Sequence, residues 1–356
     1  MDFILDGVRI MYRYPIDNLE KLSRPFAVSP EDHSMGNSLV QYMGIKIHPL
    51  LKEYNYEKIV VQGKFDRSSG ISYKEKTNKL FNYIRPTAQI SDEILYLNCF
   101  PGLDYVFHYG NVIKSYLSLM QKPCNVSGIL PSEEVCWTAI AESDLKSVPK
   151  SHTVIMGYVE GLQNISSDTI WHGTGNFLWK SVCLSSGDAI LLGCKHTYWG
   201  EIAGRIVCYL ALNGVKRIIY SGKLGTLNPN LIPNLTIATG NSSILPNGKV
   251  IEWDNLFDGI TDSQIYYGRH ITVPSVMQET KKWLKANCGV ADFVDPEIGH
   301  MALAAANYGV EFSYLHIISD NLSHKYEFDL SNERKTTVIQ NRSTLFRKIR
   351  EAITRL

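Results

Sequence analysis

The chain has no Cys-x-x-Cys pair, no fixed-period repeat and no low-complexity tract, and over its 356 residues the formal net charge is only +1. Each absence excludes something. Seven scattered cysteines (Cys99, Cys124, Cys136, Cys183, Cys194, Cys208 and Cys288) lack the spacing of a zinc site or a disulfide framework and read as reduced thiols of a cytosolic protein. The sequons at Asn125 and Asn164 are then chance matches. A charge near zero offers no general attraction for nucleic acid, whose binding leans on neutralising several phosphates; only residues 342–355 make a local basic patch. No stretch reaches the ~20 apolar residues that cross a bilayer. Asp2, Asp6, Arg9 and Arg13 break up any apolar core that a secretory leader would need. The expected setting is cytoplasmic, with neither nucleic acid nor membrane as a partner.

What remains is a globular composition, 44% hydrophobic and 20% charged, at a length that suits two ordinary domains. The polar stretch 143–151 (SDLKSVPKS), with Pro149, marks the expected boundary, giving an α/β domain over 1–150 and a second domain over 151–356. In the first part, 58–62, 79–84 and 94–100 alternate with a helix-spaced segment at 112–120. Gly63 and Arg67 after the first of these could form an anion-binding turn, but a solvated arginine is the commoner reading.

The second part is plainer. Short apolar runs at 153–156, 189–192, 217–220, 235–238 and 312–318 alternate with amphipathic helices expected at 201–213, 276–286, 300–308 and 337–355. Near-continuous apolar strands imply a sheet covered on both faces. The repeated strand–helix order implies a mixed, mostly parallel central sheet flanked by helices, with ligands at the carboxyl ends of the strands.

Three of those strand ends carry unusual polar residues: Gly222-Lys223-Leu224-Gly225, Asp295-Pro296-Glu297-Ile298-Gly299-His300, and Ser319-Asp320-Asn321. In order and rough spacing they resemble the nucleoside phosphorylase and nucleosidase superfamily over residues 152–356. That family includes purine and uridine phosphorylases and methylthioadenosine and AMP nucleosidases. The resemblance implies cleavage of the N-glycosidic bond of a nucleoside or nucleotide, purine compounds included, with no cofactor and no metal. It places Glu297 on the ribose hydroxyls, where its charge favours positive character on the sugar. It makes Asp320 the acid that protonates or hydrogen-bonds the leaving base. Gly222, Lys223, Gly225, Ser319 and Pro296 would line the substrate site, Pro296 standing where the family has methionine.

The departures concern the nucleophile. The first strand ends Met156-Gly157-Tyr158-Val159-Glu160-Gly161 without the arginine of the phosphorylases, and the glycine loop offers Lys223 rather than arginine. Losing both guanidinium groups weakens the case for phosphate as attacker. Glu160 becomes the candidate base that activates water. Hydrolysis is therefore the leading expectation, with phosphorolysis second and a catalytically silent nucleoside-binding regulator third. The cluster Cys194-Lys195-His196-Thr197-Tyr198-Trp199 reads as a loop into a helix, and His300 and His316 as satisfied core or rim residues. The family pattern also implies a homo-oligomer in which a neighbouring subunit completes the sugar pocket, with His270 or Arg269 as the donor.

Overall fold

The computed structural model describes residues 4–5, 8–16, 18–68, 70–73, 79–122, 124–327 and 335–356; Asp2 and Asp6 lie outside them. Two sheets carry most of the chain. The smaller has β1 (Lys58–Gln62), β2 (Thr87–Ser91), β3 (Ile94–Asn98) and β4 (Asn125–Ile129) in the order β2-β3-β1-β4. Its pairings are parallel except between β2 and β3. Two helices belong with it, α1 (Ser38–Lys46) and α2 (Leu103–Leu119). α2 is buried from Leu103 through Ile113, as befits a helix packed on all sides. A third, α3 (Glu133–Ala141), is capped by Ser132, whose hydroxyl accepts from the Val135 N–H.

The larger sheet has 11 strands. They are β5 (Thr153–Gly157), β6 (Phe177–Leu184), β7 (Gly187–Cys194), β8 (Arg217–Thr226), β9 (Ile237–Thr239), β10 (Ser242–Ile244), β11 (Val250–Glu252), β12 (Ile265–Tyr267), β13 (His270–Thr272), β14 (Phe293–Asp295) and β15 (Glu311–Asn321). The main path runs β11-β10-β13-β14-β8-β15-β9-β12, and β5 joins β8 to β7 and thence β6. Its helices are α4 (Glu201–Leu212), α5 (Lys281–Asn287), α6 (Ile298–Tyr308) and α7 (Thr336–Thr354). The strands expected from apolar runs are covered on both faces: Ile155, Leu191, Ile218, Ile219, Leu315 and Ile317 are all buried.

β8 organises the site because it has three partners. Its first half pairs in parallel with β5, its whole length pairs with β15, and Gly225 and Thr226 pair with Val294 and Phe293 of β14. The run expected to end at Tyr220 in a loop is therefore strand through Thr226. The long partner β15 supplies hydrogen bonds that a turn over 221–226 would otherwise lack, and the register slips between Leu224 and Gly225. Gly157, closing β5, has φ of +108°, and a Cβ there would lie 2.1 Å from the Ser221 carbonyl oxygen. No other residue lets the two strand ends approach this closely.

Two further expectations differ from the structure. The helix expected over 276–286 is split: a single 3-10 turn, Val276–Gln278, is capped by the Ser275 hydroxyl, and α5 starts afresh behind the Thr280 hydroxyl, which accepts from Trp283 N–H. Two competing caps, at 275 and 280, divide what periodicity alone reads as continuous. Residues 79–84 form neither strand nor helix but an irregular segment that bridges Ile84 to His196. No helix among the described residues is long and apolar enough to cross a membrane.

Candidate active site

The carboxyl ends of β5, β8, β14 and β15 open on one cavity of about 320 Å³. It is lined by Glu160, Gly222, Lys223, Gly225, Pro296, Glu297, Ser319 and Asp320, so the catalytic and substrate-binding candidates of the strand-end segments line it together. The register explains the convergence. Gly225 pairs directly with Asp320, and a Cβ on Gly225 would sit 3.3 Å from Asp320 Oδ2. The Ser319 hydroxyl donates to Asp320 Oδ1 at 2.7 Å and is also 3.2 Å from the Leu224 carbonyl oxygen, which fixes the carboxylate beside the bulge.

Glu297 stands at the start of α6. Its Oε1 accepts from Gly200 N–H at 3.2 Å, and its carboxylate is hydrogen-bonded to Tyr220. Burial, followed by repulsion from Asp295, pushes this carboxyl well above the usual range. Asp295 Oδ1 caps the same helix, accepting from Glu297 and Ile298 N–H at 3.0 and 2.9 Å. Burial opposes its ionisation, but His270, with Nε2 at 3.0 Å from Oδ1, holds it below the ordinary carboxylate value. His270 is thus enclosed in its own chain, its Nδ1 2.8 Å from the Ser243 hydroxyl, which corrects the expectation that it reaches into a neighbouring subunit. Arg269 remains exposed.

Glu160 also lines the cavity, and its Oε1 is already engaged by Leu80 and Phe81 N–H at 2.5 and 2.9 Å. One carboxylate oxygen thus anchors the irregular 79–84 segment, which leaves Oε2 as the atom for any proton transfer.

Several lining residues carry no signal in sequence. Glu279, between the two caps, is buried; burial and the nearby Asp320 and Asp295 carboxylates push it well above the usual range. Arg342 enters from α7, its Nε donating to Asn234 Oδ1 at 2.6 Å. Tyr198 and Trp199 come from the segment read as a plain loop, and Tyr42, Lys46, Arg85, Tyr105 and His108 from the N-terminal part. Two guanidinium groups, Arg85 and Arg342, therefore line the cavity from segments outside the strand motifs. Arg67 after β1 is exposed and does not line the cavity.

The N-terminal part is locked to this wall by two helix ends meeting head-on. Glu201, in the first turn of α4, accepts from Leu103 and Asp104 N–H of α2, while Asp104 Oδ2 accepts from Glu201 N–H at 3.0 Å. Asp104 also takes the Tyr14 hydroxyl and lies 3.1 Å from His300 Nε2. Burial, then repulsion from Asp104, pushes Glu201 up to about 8, against the opposing pull of Arg205. An acid whose folded value is raised favours folding while protonated, and that contribution is lost as pH climbs from its ordinary value of 4.5 towards about 8. Stability should therefore decline over this window. Glu201→Gln should flatten the decline by an amount on the order of a few kcal/mol. Urea midpoints recorded at both ends of the window check this; identical pH slopes for parent and variant would show that Glu201 is ionised throughout.

No protein-family model matches the chain. A curated protein, oxidoreductase cns1 of Cordyceps militaris, is 23% identical over 371 aligned residues, covering 86% of this chain. The chain spans only 46% of that relative's length. Among solved structures, a futalosine hydrolase mutant of Helicobacter pylori is similar with a TM-score of 0.45 and 14% identity, over 57% of this chain and 99% of that one. The 5'-methylthioadenosine/S-adenosyl homocysteine nucleosidase of Campylobacter jejuni is similar with a TM-score of 0.44 and 16% identity, over 57% and 99%. The solved structures that this chain resembles thus include nucleosidases. The enzyme from S. pneumoniae, solved with a transition-state inhibitor, shows the same degree of likeness, a TM-score of 0.44 at 13% identity over 57% and 98%.

Proposed function

We propose that the chain cleaves the N-glycosidic bond of a nucleoside or nucleotide by hydrolysis. The observation that carries this reading is the strand register, which sets Asp320 beside the Gly222–Gly225 bulge and Glu297 at the adjacent helix start, on one cavity. A bond that breaks through a cationic ribosyl species needs a carboxylate on the sugar and a proton donor at the base. Glu297 and Asp320 fill these roles, with Ser319 orienting the acid. Glu160 Oε2 accepts the proton of the attacking water. Residues 1–150 act as a second domain that closes the cavity, since Tyr42, Arg85 and His108 form part of its wall.

Phosphorolysis is the second reading, favoured by Arg85 and Arg342 in the cavity wall, because paired guanidinium contacts suit phosphate. Base release measured across nucleosides and nucleotides in phosphate-free buffer separates the two. Hydrolysis predicts release without phosphate, a free sugar or sugar phosphate as product, and slower turnover in Glu160→Gln. Strict dependence on added phosphate, with a sugar 1-phosphate formed, establishes phosphorolysis instead. Absence of release under every condition leaves only a binding protein.

A further inference from the structure

Four of the cavity's carboxylates gather on the β14–β15 side, where Asp320 and Asp295 both act on Glu279 and Asp295 acts on Glu297; Glu160 is instead held by Leu80 and Phe81 N–H, and Lys223 and Arg342 also line the cavity. On the opposite wall, Lys46 at the end of α1 and Arg85 in the segment before β2 flank His108 of α2, and both charges that bear on that ring are positive. Arg85 is only 6% exposed, and its Nη1 donates to the neutral oxygens of Asn82, at 3.0 Å, and Thr197. His108 is fixed by stacking on Trp199, with ring centroids 3.8 Å apart, and by Ser275, whose hydroxyl is 2.9 Å from Nδ1. Burial holds the imidazole well below its usual value, so it is neutral and adds hydrogen bonding rather than charge. The Tyr42 hydroxyl stands 3.4 Å from His108 Nε2, between this ring and Lys46, whose ammonium lies 5.7 Å from the Tyr42 ring centre.

A guanidinium and an ammonium converging on one hydroxyl-lined wall raise the potential inside a concave, low-dielectric site, which draws an anion to it. Arginine matches the paired oxygens of a phosphate, and lysine adds a point charge. We propose that the wall formed by Lys46, Arg85, Tyr42 and His108 is a phosphoryl-binding site. It takes either the phosphate monoester of a sugar-phosphate substrate or inorganic phosphate. This deepens the glycosidase reading by naming the class of ligand: the carboxylate side holds the sugar and base, and the cationic side holds a phosphate dianion.

Binding rather than turnover tests it, so failure of base release would sink the nucleosidase reading and leave this one standing. Titration calorimetry with ribose 5-phosphate, ribose and inorganic phosphate is run on the full chain, with Arg85→Gln and Lys46→Met alongside. We expect ribose 5-phosphate to bind at least about tenfold more tightly than ribose, to weaken with added salt, and to lose about tenfold or more in each variant. Lys46→Met lies on the partly exposed end of α1, so it reports even if Arg85→Gln fails to fold. Tight ribose 5-phosphate with weak inorganic phosphate assigns the site to the substrate's own monoester; comparable binding of the two, lost in the same variants, assigns it to a phosphate dianion from either source. Equal binding of ribose and ribose 5-phosphate with no response to inorganic phosphate, or affinities unchanged in Lys46→Met, would overturn the proposal.

Discussion

Asp320→Asn and Glu297→Gln are each expected to leave the unfolding midpoint near that of the parent while lowering turnover by about 10²–10⁴-fold. The two effects should differ in kind. Asparagine keeps the shape and the hydrogen bond from Ser319 but cannot give a proton, so the leaving base departs with electrons it stabilises poorly. The loss then falls on kcat. Glutamine at 297 can still accept from Gly200 N–H and from Tyr220, so the start of α6 is preserved. What it lacks is the capacity to ionise: the charge that burial and Asp295 disfavour in the free protein forms as ribose hydroxyls and then the cationic sugar come against Glu297. KM should therefore rise as kcat falls. Steady-state kinetics on any substrate that releases base check both variants. Parent-level turnover in both would remove Asp320 and Glu297 from the chemistry.

These residues were legible because each sits in a short contiguous segment at a strand end, where a local pattern survives without knowledge of the tertiary structure. The β8 strand illustrates the limit of such reading. Glycines at 222 and 225 read as a loop, yet strand pairing continues through Thr226, because the neighbour β15 is equally long and a one-residue slip absorbs the irregularity. Glu279 was hidden for a related reason. Its helix-spaced surroundings mask the change of cap at Thr280 that turns its carboxyl into the cavity wall. Arg85 and Arg342 lie in segments with no motif at all, and only the packing of residues 79–85 and α7 onto the strand ends brings them to the site. The reverse holds for His270, a reactive residue type that the fold encloses beside Asp295.

Beside the head-on contact of α2 and α4, a buried cation ties the N-terminal part to the remainder, and removing it should be strongly destabilising. Arg205 of α4 is fully enclosed; its Nη1 and Nη2 donate to the two oxygens of Glu133, at 2.8 and 3.0 Å, across the start of α3. Its guanidinium also lies over the rings of Trp137 and Tyr12, 4.9 and 5.8 Å from their centroids. Arg205→Ala deletes these contacts together and leaves a void between two helices. A loss of about 3–5 kcal/mol is expected, near the upper end for single substitutions. The Glu133 carboxylate, about half exposed, can return to water, so most of the loss reflects packing and the stacked cation rather than a stranded anion. Arg205→Met separates the terms: it fills most of the volume without a charge to desolvate, and should recover most of the stability. Urea unfolding followed by Trp fluorescence and far-ultraviolet dichroism gives both numbers. If Arg205→Ala costs less than about 1 kcal/mol, or Arg205→Met is as damaging as Arg205→Ala, the interface does not depend on packing around this side chain in the way described.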